Sequence, residues 1–198
     1  FFSSATDTAQ IEVDGTKPTI SGVTSLTSNG TYTAGDVINL AVAFSESVDV
    51  VPTGGYPKLE LDTGQFATYS SGSGSSTLVF SYTVQEEDTS TDLDYRSTSS
   101  LKDNNNEIIK DALGNNAILM LPLPGASGSL AANQALVIDA FAPAITSVDA
   151  ISINENSTAV HTFSANESVT WSFNGGADAG KFNINSSSGA LSFANAPD

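Results

Sequence analysis

The chain has 198 residues, no cysteine, and 22 acidic against six basic side chains, a net charge of −16 with a pI near 4.1. That balance excludes nucleic acid and anionic membranes as natural partners, and the missing thiols exclude disulfides and thiolate metal sites. A hydrophobic share of 39% with charged residues at only 14% leaves much Ser, Thr, Asn and Gly, the composition of a β-rich, turn-rich domain.

In chain order, residues 1–13 end in the apolar alternation Ala9-Gln10-Ile11-Glu12-Val13, which reads as the last strand of a preceding module. Period-two patterning then predicts strands at 19–26, 37–44, 58–61, 66–69, 77–84, 93–97, 108–109, 117–121 and 135–138. Turn signals separate them, among them Ser28-Asn29-Gly30, Ser71-Gly72-Ser73-Gly74, Asn104-Asn105-Asn106 and Leu113-Gly114-Asn115. No helical periodicity competes. Ile118-Leu119-Met120-Leu121 with Leu123 is the most apolar stretch and reads as a strand buried between two sheets. Further strands are expected at 147–153, 159–163, 169–173, 181–184 and 190–193. Many short strands at this spacing predict an all-β protein of antiparallel sandwiches. No run approaches the length of a membrane-spanning helix, so no membrane insertion is expected.

One phrase occurs twice. Val13-Asp14-Gly15-Thr16-Lys17-Pro18 returns as Ile138-Asp139-Ala140-Phe141-Ala142-Pro143, and Asp14 to Asp139, Pro18 to Pro143 and Val23 to Val148 all step by 125 residues. A repeat this long marks tandem domains rather than a solenoid. The expected organisation is a terminal strand at 1–13, a module at 14–139, and a partial module at 140–198.

Certain motifs resemble the Ig-like repeats of very large bacterial surface proteins, adhesins among them. They are Asp14-Gly-Thr-Lys-Pro18, Tyr32-Thr-Ala-Gly-Asp36, Val42-Ala-Phe-Ser-Glu46-Ser-Val48, the segment from Ala67 to Phe80, and Asp111-Ala-Leu-Gly-Asn115. From about residue 149 the chain resembles the first half of a cadherin-like domain, through Ile153-Asn-Glu155-Asn156 and Lys181-Phe-Asn-Ile-Asn-Ser-Ser-Ser-Gly189. The resemblance implies tandem Ig-like sandwich modules, an extracellular position at a bacterial cell surface, and Ca²⁺ between neighbouring modules of the same chain.

Four residues are candidate Ca²⁺ ligands. Asp14 and Asp139 hold equivalent linker positions, where a carboxylate can bridge domains or simply cap a turn. Glu46 ends a strand at the same pole, and Glu167-Ser168-Val169 echoes it. Glu155 matches a ligand position of cadherin-like domains. Asp111 and the acidic stretch 103–107 lack EF-hand spacing and read as turns. Glu86, Glu87, Asp88, Asp92 and Asp94 read as a solvated loop. His161 is the lone histidine, so no zinc cluster is expected, and no nucleophile and base stand out for an enzyme. The leading expectation is a non-enzymatic, Ca²⁺-stiffened spacer or adhesive stalk. Two alternatives stay open: a module binding a glycan or protein, with the five tyrosines as candidate platform, and a subunit of a surface layer or filament.

Overall fold

A computed structural model of the chain describes residues 14–52, 54–103, 109–148 and 150–196. The expected strand at 1–13 and the turn at 104–106 lie outside the described residues. The protein is all-β, and its contacts divide it into two units, Phe1–Phe141 and Ala142–Asp198. The division falls within the second copy of the repeated phrase.

In the first unit, β1 (Ile20–Ser25), β2 (Gly30–Tyr32), β3 (Val37–Val50), β4 (Lys58–Glu60), β5 (Phe66–Ser71), β6 (Ser75–Thr83), β7 (Thr89–Ser90), β8 (Leu101–Lys102) and β9 (Ile109–Lys110) precede one helical turn, α1 (Leu130–Asn133), and β10 (Leu136–Asp139). The main sheet runs β1-β3-β6-β5-β4-β8, with β9 also paired to β3. Every pairing in it is antiparallel. A second sheet runs β2-β10-β7, and β2 lies parallel to β10. That pair departs from the expected all-antiparallel pattern. The long stretch of chain between the two strands is what permits it, since a hairpin cannot join parallel neighbours.

Alternation decides the core. Ile38, Leu40 and Val42 of β3 and Leu78, Phe80 and Tyr82 of β6 are each at most 1% exposed. They share one apolar cluster with Leu136 and Ile138 of β10, so both sheets pack on the same interior. Between those two residues Val137 faces out at 36% exposure. The β5–β6 hairpin turns through Gly72 and Gly74, both at positive φ. A Cβ on Gly72 would stand 2.2 Å from the Thr77 carbonyl oxygen, so only glycine fits there.

Several expected strands do not form. Residues 93–97 contribute one bridge, Leu61 to Tyr95, and 117–121 one bridge, Thr19 to Ile118. The apolar stretch there is not a buried strand: Ile118, Met120 and Leu123 are 46%, 69% and 67% exposed, and only Leu121 is buried. Its amides answer to separated partners, Ile118 N–H to Pro18 O and Leu121 N–H to Thr98 O, so no ladder holds it flat. The unexpected α1 is a single turn, too short for a periodicity to register. The Ser129 hydroxyl caps it by accepting from Ala132 N–H at 3.2 Å.

The second unit contains β11 (Ala159–Thr162), β12 (Phe182–Ile184) and β13 (Ala190–Phe193), ordered β11-β13-β12. The strands expected at 147–153 and 169–173 are absent among the described residues. At Trp171 an aromatic pair stands instead, stacked on Phe163 at 5.6 Å, while Phe182 of β12 stacks on Phe193 of β13 at 4.9 Å.

Both units open with the same clamp. In the first, Thr19 N–H donates to the Ser45 hydroxyl at 3.0 Å while Thr19 O accepts from Ser45 N–H at 2.8 Å. In the second, Ala144 N–H donates to the Asn166 side-chain oxygen at 2.7 Å while Ala144 O accepts from Asn166 N–H at 3.0 Å. Thr19 and Ala144 are 125 residues apart, the sequence repeat itself. In this register Glu167 follows Asn166 as Glu46 follows Ser45.

Candidate functional site

Three segments meet just ahead of β1. Asp14 lies in the loop leading to β1, Glu46 lies within β3, and Asp111 directly follows β9. The Thr19–Ser45 clamp fixes the first segment to the second. The β3–β9 pairing, Asp49 to Lys110 and Val50 to Ile109, fixes the second to the third.

Glu46 stands on an irregular part of its strand. Ala43 pairs with Thr77 and Val48 with Ser75, so five steps of β3 answer two of β6. Such an irregularity bends a strand and re-aims the side chains it carries. Glu46 lies inside this irregular stretch and has no paired residue on β6.

The Asp111 loop is built by its own carboxylate. One oxygen accepts from Leu113 N–H at 2.9 Å and Asn115 N–H at 2.8 Å, and the other from the Asn115 amide at 2.7 Å. Gly114, at φ +91°, closes the turn. The expected turn at 111–115 is thus present. The same Asn115 amide also donates to the Asp14 backbone carbonyl at 3.1 Å, so Asn115 ties two acidic segments together. Asp14 in turn caps its own loop by accepting from Thr16 N–H at 2.8 Å.

As a result the carboxylates of Asp14, Glu46 and Asp111 each place an oxygen within 4.8 Å of the other two. Asp111 is buried and the other two half-buried. The titrations reflect the crowding. Loss of hydration, followed by the charges of Asp14 and Asp111, raises the Glu46 pKa above the usual 4.5. Hydrogen bonding from the Asn115 side chain, outweighing the cost of burial, lowers that of Asp111 below 3.8. Glu46 accepts no hydrogen bond among the described residues, so its charge is the least compensated of the three.

This is a hard, all-oxygen donor set. Oxygens bound to one Ca²⁺ at about 2.4 Å lie at most about 4.8 Å apart across the ion, so all three carboxylates fit a single first shell. With one oxygen each, three carboxylates fill three of the six to eight positions Ca²⁺ prefers, and the chain has no Cys and a single His to favour a softer metal.

Of the four expected ligands, the fold brings together Asp14 and Glu46. Asp139 ends β10 opposite Thr89, is exposed, and belongs to no such group among the described residues. Glu155 is exposed in a turn beside Asn156, whose φ is +62°. Asp111 is the member that the turn reading left out.

The expected solvated loop at 86–94 is corrected in part. Glu86, Glu87 and Asp92 are exposed, but Asp88 and Asp94 are 5% and 6% exposed. Asp88 accepts from the Tyr82 hydroxyl at 2.6 Å, Gln85 N–H at 2.7 Å and the Gln65 amide at 3.0 Å. Asp94 accepts from Tyr95 N–H at 2.8 Å and Gly125 N–H at 2.9 Å. These donors satisfy buried carboxylates within the protein, the usual condition for placing them there. Tyr82 and Tyr95 are 1% exposed and thereby excluded from any surface platform. Exposed Tyr56 stacks on Tyr69 at 5.7 Å.

Compared with known proteins, the chain matches no family profile, no curated sequence and no solved structure.

Proposed function

We propose that this chain is a run of tandem Ig-like sandwich modules from an extracellular bacterial surface protein, acting as a spacer or adhesive stalk stiffened by Ca²⁺. The observation that carries the reading is the convergence of Asp14, Glu46 and Asp111 just ahead of β1. A cation held there joins the chain entering β1 to two strands of the sheet. Without it, lost hydration first and then the charges of Asp14 and Asp111 weigh on the Glu46 carboxylate, whose pKa is raised accordingly. With it, the entering chain is held in one arrangement, and Ca²⁺ shifts the population toward that arrangement by as much as it prefers it.

Extracellular modules commonly hold Ca²⁺ with dissociation constants of about 10⁻⁴–10⁻³ M. Free Ca²⁺ at a hundredfold excess over such a constant adds about 2.7 kcal/mol to stability. The test is thermal unfolding in Ca²⁺ and in chelator. A higher unfolding midpoint in Ca²⁺ is expected. Superimposable curves contradict the reading.

A further inference from the structure

Away from the acidic pole, the chain gathers half of its few cations on one surface. Across β4 and β8, Lys58 stands directly opposite Lys102; across β4 and β5, Lys58 opposes Thr68 and Glu60 opposes Phe66. Opposed residues of an antiparallel ladder share a face, as do residues two apart on a strand. Their alternates Leu59, Ala67 and Leu101 are at most 4% exposed, so the face carrying Lys58, Glu60, Phe66, Thr68 and Lys102 is the solvent one. Arg96 joins it through Glu60, with Nη1 3.2 Å from one carboxylate oxygen, while Lys102 Nζ is 4.0 Å from the other.

Three cations around one carboxylate sum to +2, within a chain whose total is −16. Like charges directly opposed on a ladder cost stability, and neither burial nor pairing accounts for Lys58. It is exposed and has no carboxylate within ion-pair distance among the described residues. Phe66, directly opposite Glu60 and diagonal to Lys58 on the same face, leaves 47% of its surface in water.

We propose that this face binds an acidic sugar, with a ring carboxylate at Lys58 and Lys102 and the apolar face of the sugar ring on Phe66. Glu60 holds Arg96 and Lys102 in place rather than contacting the ligand. The charge distribution selects among anions. An extended polyanion such as nucleic acid would meet the chain's other carboxylates, whereas a sugar with isolated carboxylates brings charge only where the cations are. Screening over about 8 Å confines the attraction to that contact. An exposed aromatic beside the cations suits a ring with an apolar face better than a bare inorganic anion. The site is independent of the cation site at the pole.

Calorimetric titration of the full chain with galacturonate, its methyl ester and inorganic sulfate tests this. The acid is expected to bind at least about tenfold more tightly than the ester, since a charge-assisted contact of this kind is worth about that factor. Lys58→Gln should cost a similar factor while leaving the unfolding midpoint unchanged or raised, because it removes an opposed like charge. Phe66→Ala should weaken the sugar and spare sulfate. Equal affinity for acid and ester overturns the proposal, as does indifference to both Lys58→Gln and Lys102→Gln. So does sulfate binding that matches the sugar and ignores Phe66. Light scattering that shows self-association abolished by Lys58→Gln would assign the patch to another copy of the chain and also overturn the proposal.

Discussion

The two units begin alike and are completed differently. Each opens with a reciprocal clamp, Thr19 on Ser45 and Ala144 on Asn166, whose first members stand 125 residues apart. From there the first unit lays two sheets over one interior, and every buried core side chain among the described residues belongs to it. The second has one three-stranded sheet, and Gly189 is its sole buried residue among those described. Matching entry geometry therefore does not bring a matching core. A module's opening is fixed by a few local hydrogen bonds, whereas its interior requires a second layer to close on the first.

Core truncation should separate the units most strongly. Phe80→Ala removes a fully buried ring between the sheets and should cost about 3–5 kcal/mol. Phe193→Ala, on a half-buried ring that keeps its Phe182 partner on one side, should cost less than about 2 kcal/mol. Calorimetric unfolding of both variants reads the difference; equal losses would erase the contrast.

Glycine replacement gives a smaller and more local comparison. Gly72→Ala forces a Cβ against the Thr77 carbonyl at positive φ in the first unit. Gly189→Ala forces one to 2.7 Å from the Phe163 carbonyl and 2.9 Å from the Trp171 indole nitrogen in the second. Each should cost about 1–3 kcal/mol. The Gly72 variant should be the worse, because its shortest backbone clash is the closer, 2.2 Å against 2.7 Å. Denaturant midpoints check the order.

Acidity should act at the pole with the smallest effect and with opposite signs. The raised Glu46 pKa means that the ion-free fold prefers the protonated carboxyl. The strain is fully present above the folded-state pKa and fades as pH falls through it toward 4.5, so the ion-free protein gains stability over that interval. Asp111 is lowered, so its contribution is fully present above 3.8 and is lost as pH falls further, through its folded-state value. Stability of chelated protein against pH should therefore show a shallow rise before the acid loss, and Glu46→Gln should remove the rise alone.

Much of the first unit was legible in the sequence because alternation in segments such as 37–44 and 77–84 is a local signal of burial. The runs at 117–121 and 147–153 misled because apolar content says nothing of whether a ladder partner exists. Sheet pairing stops after the single Thr19–Ile118 bridge: the Ile118 amide answers to Pro18 and the Leu121 amide to Thr98. At the pole, Asp14 was visible through the repeated phrase; Glu46 was singled out as ending a strand, whereas it lies inside β3, which runs on to Val50. Asp111 was not visible, since its turn chemistry gives a sufficient local reason for an aspartate. Its link to Asp14 runs through Asn115 over 101 residues of chain, a distance that no spacing rule reads.

The central claim, that the pole where the chain enters β1 binds Ca²⁺ through Asp14, Glu46 and Asp111, is tested most directly by calorimetric Ca²⁺ titration of the parent chain beside Glu46→Gln. The parent should bind one ion at this pole with a dissociation constant of about 10⁻⁴–10⁻³ M. Glu46→Gln should lose that binding while its ion-free form unfolds no more readily than the parent at neutral pH. Equal Ca²⁺ binding by the two proteins, or none by the parent, would contradict the account.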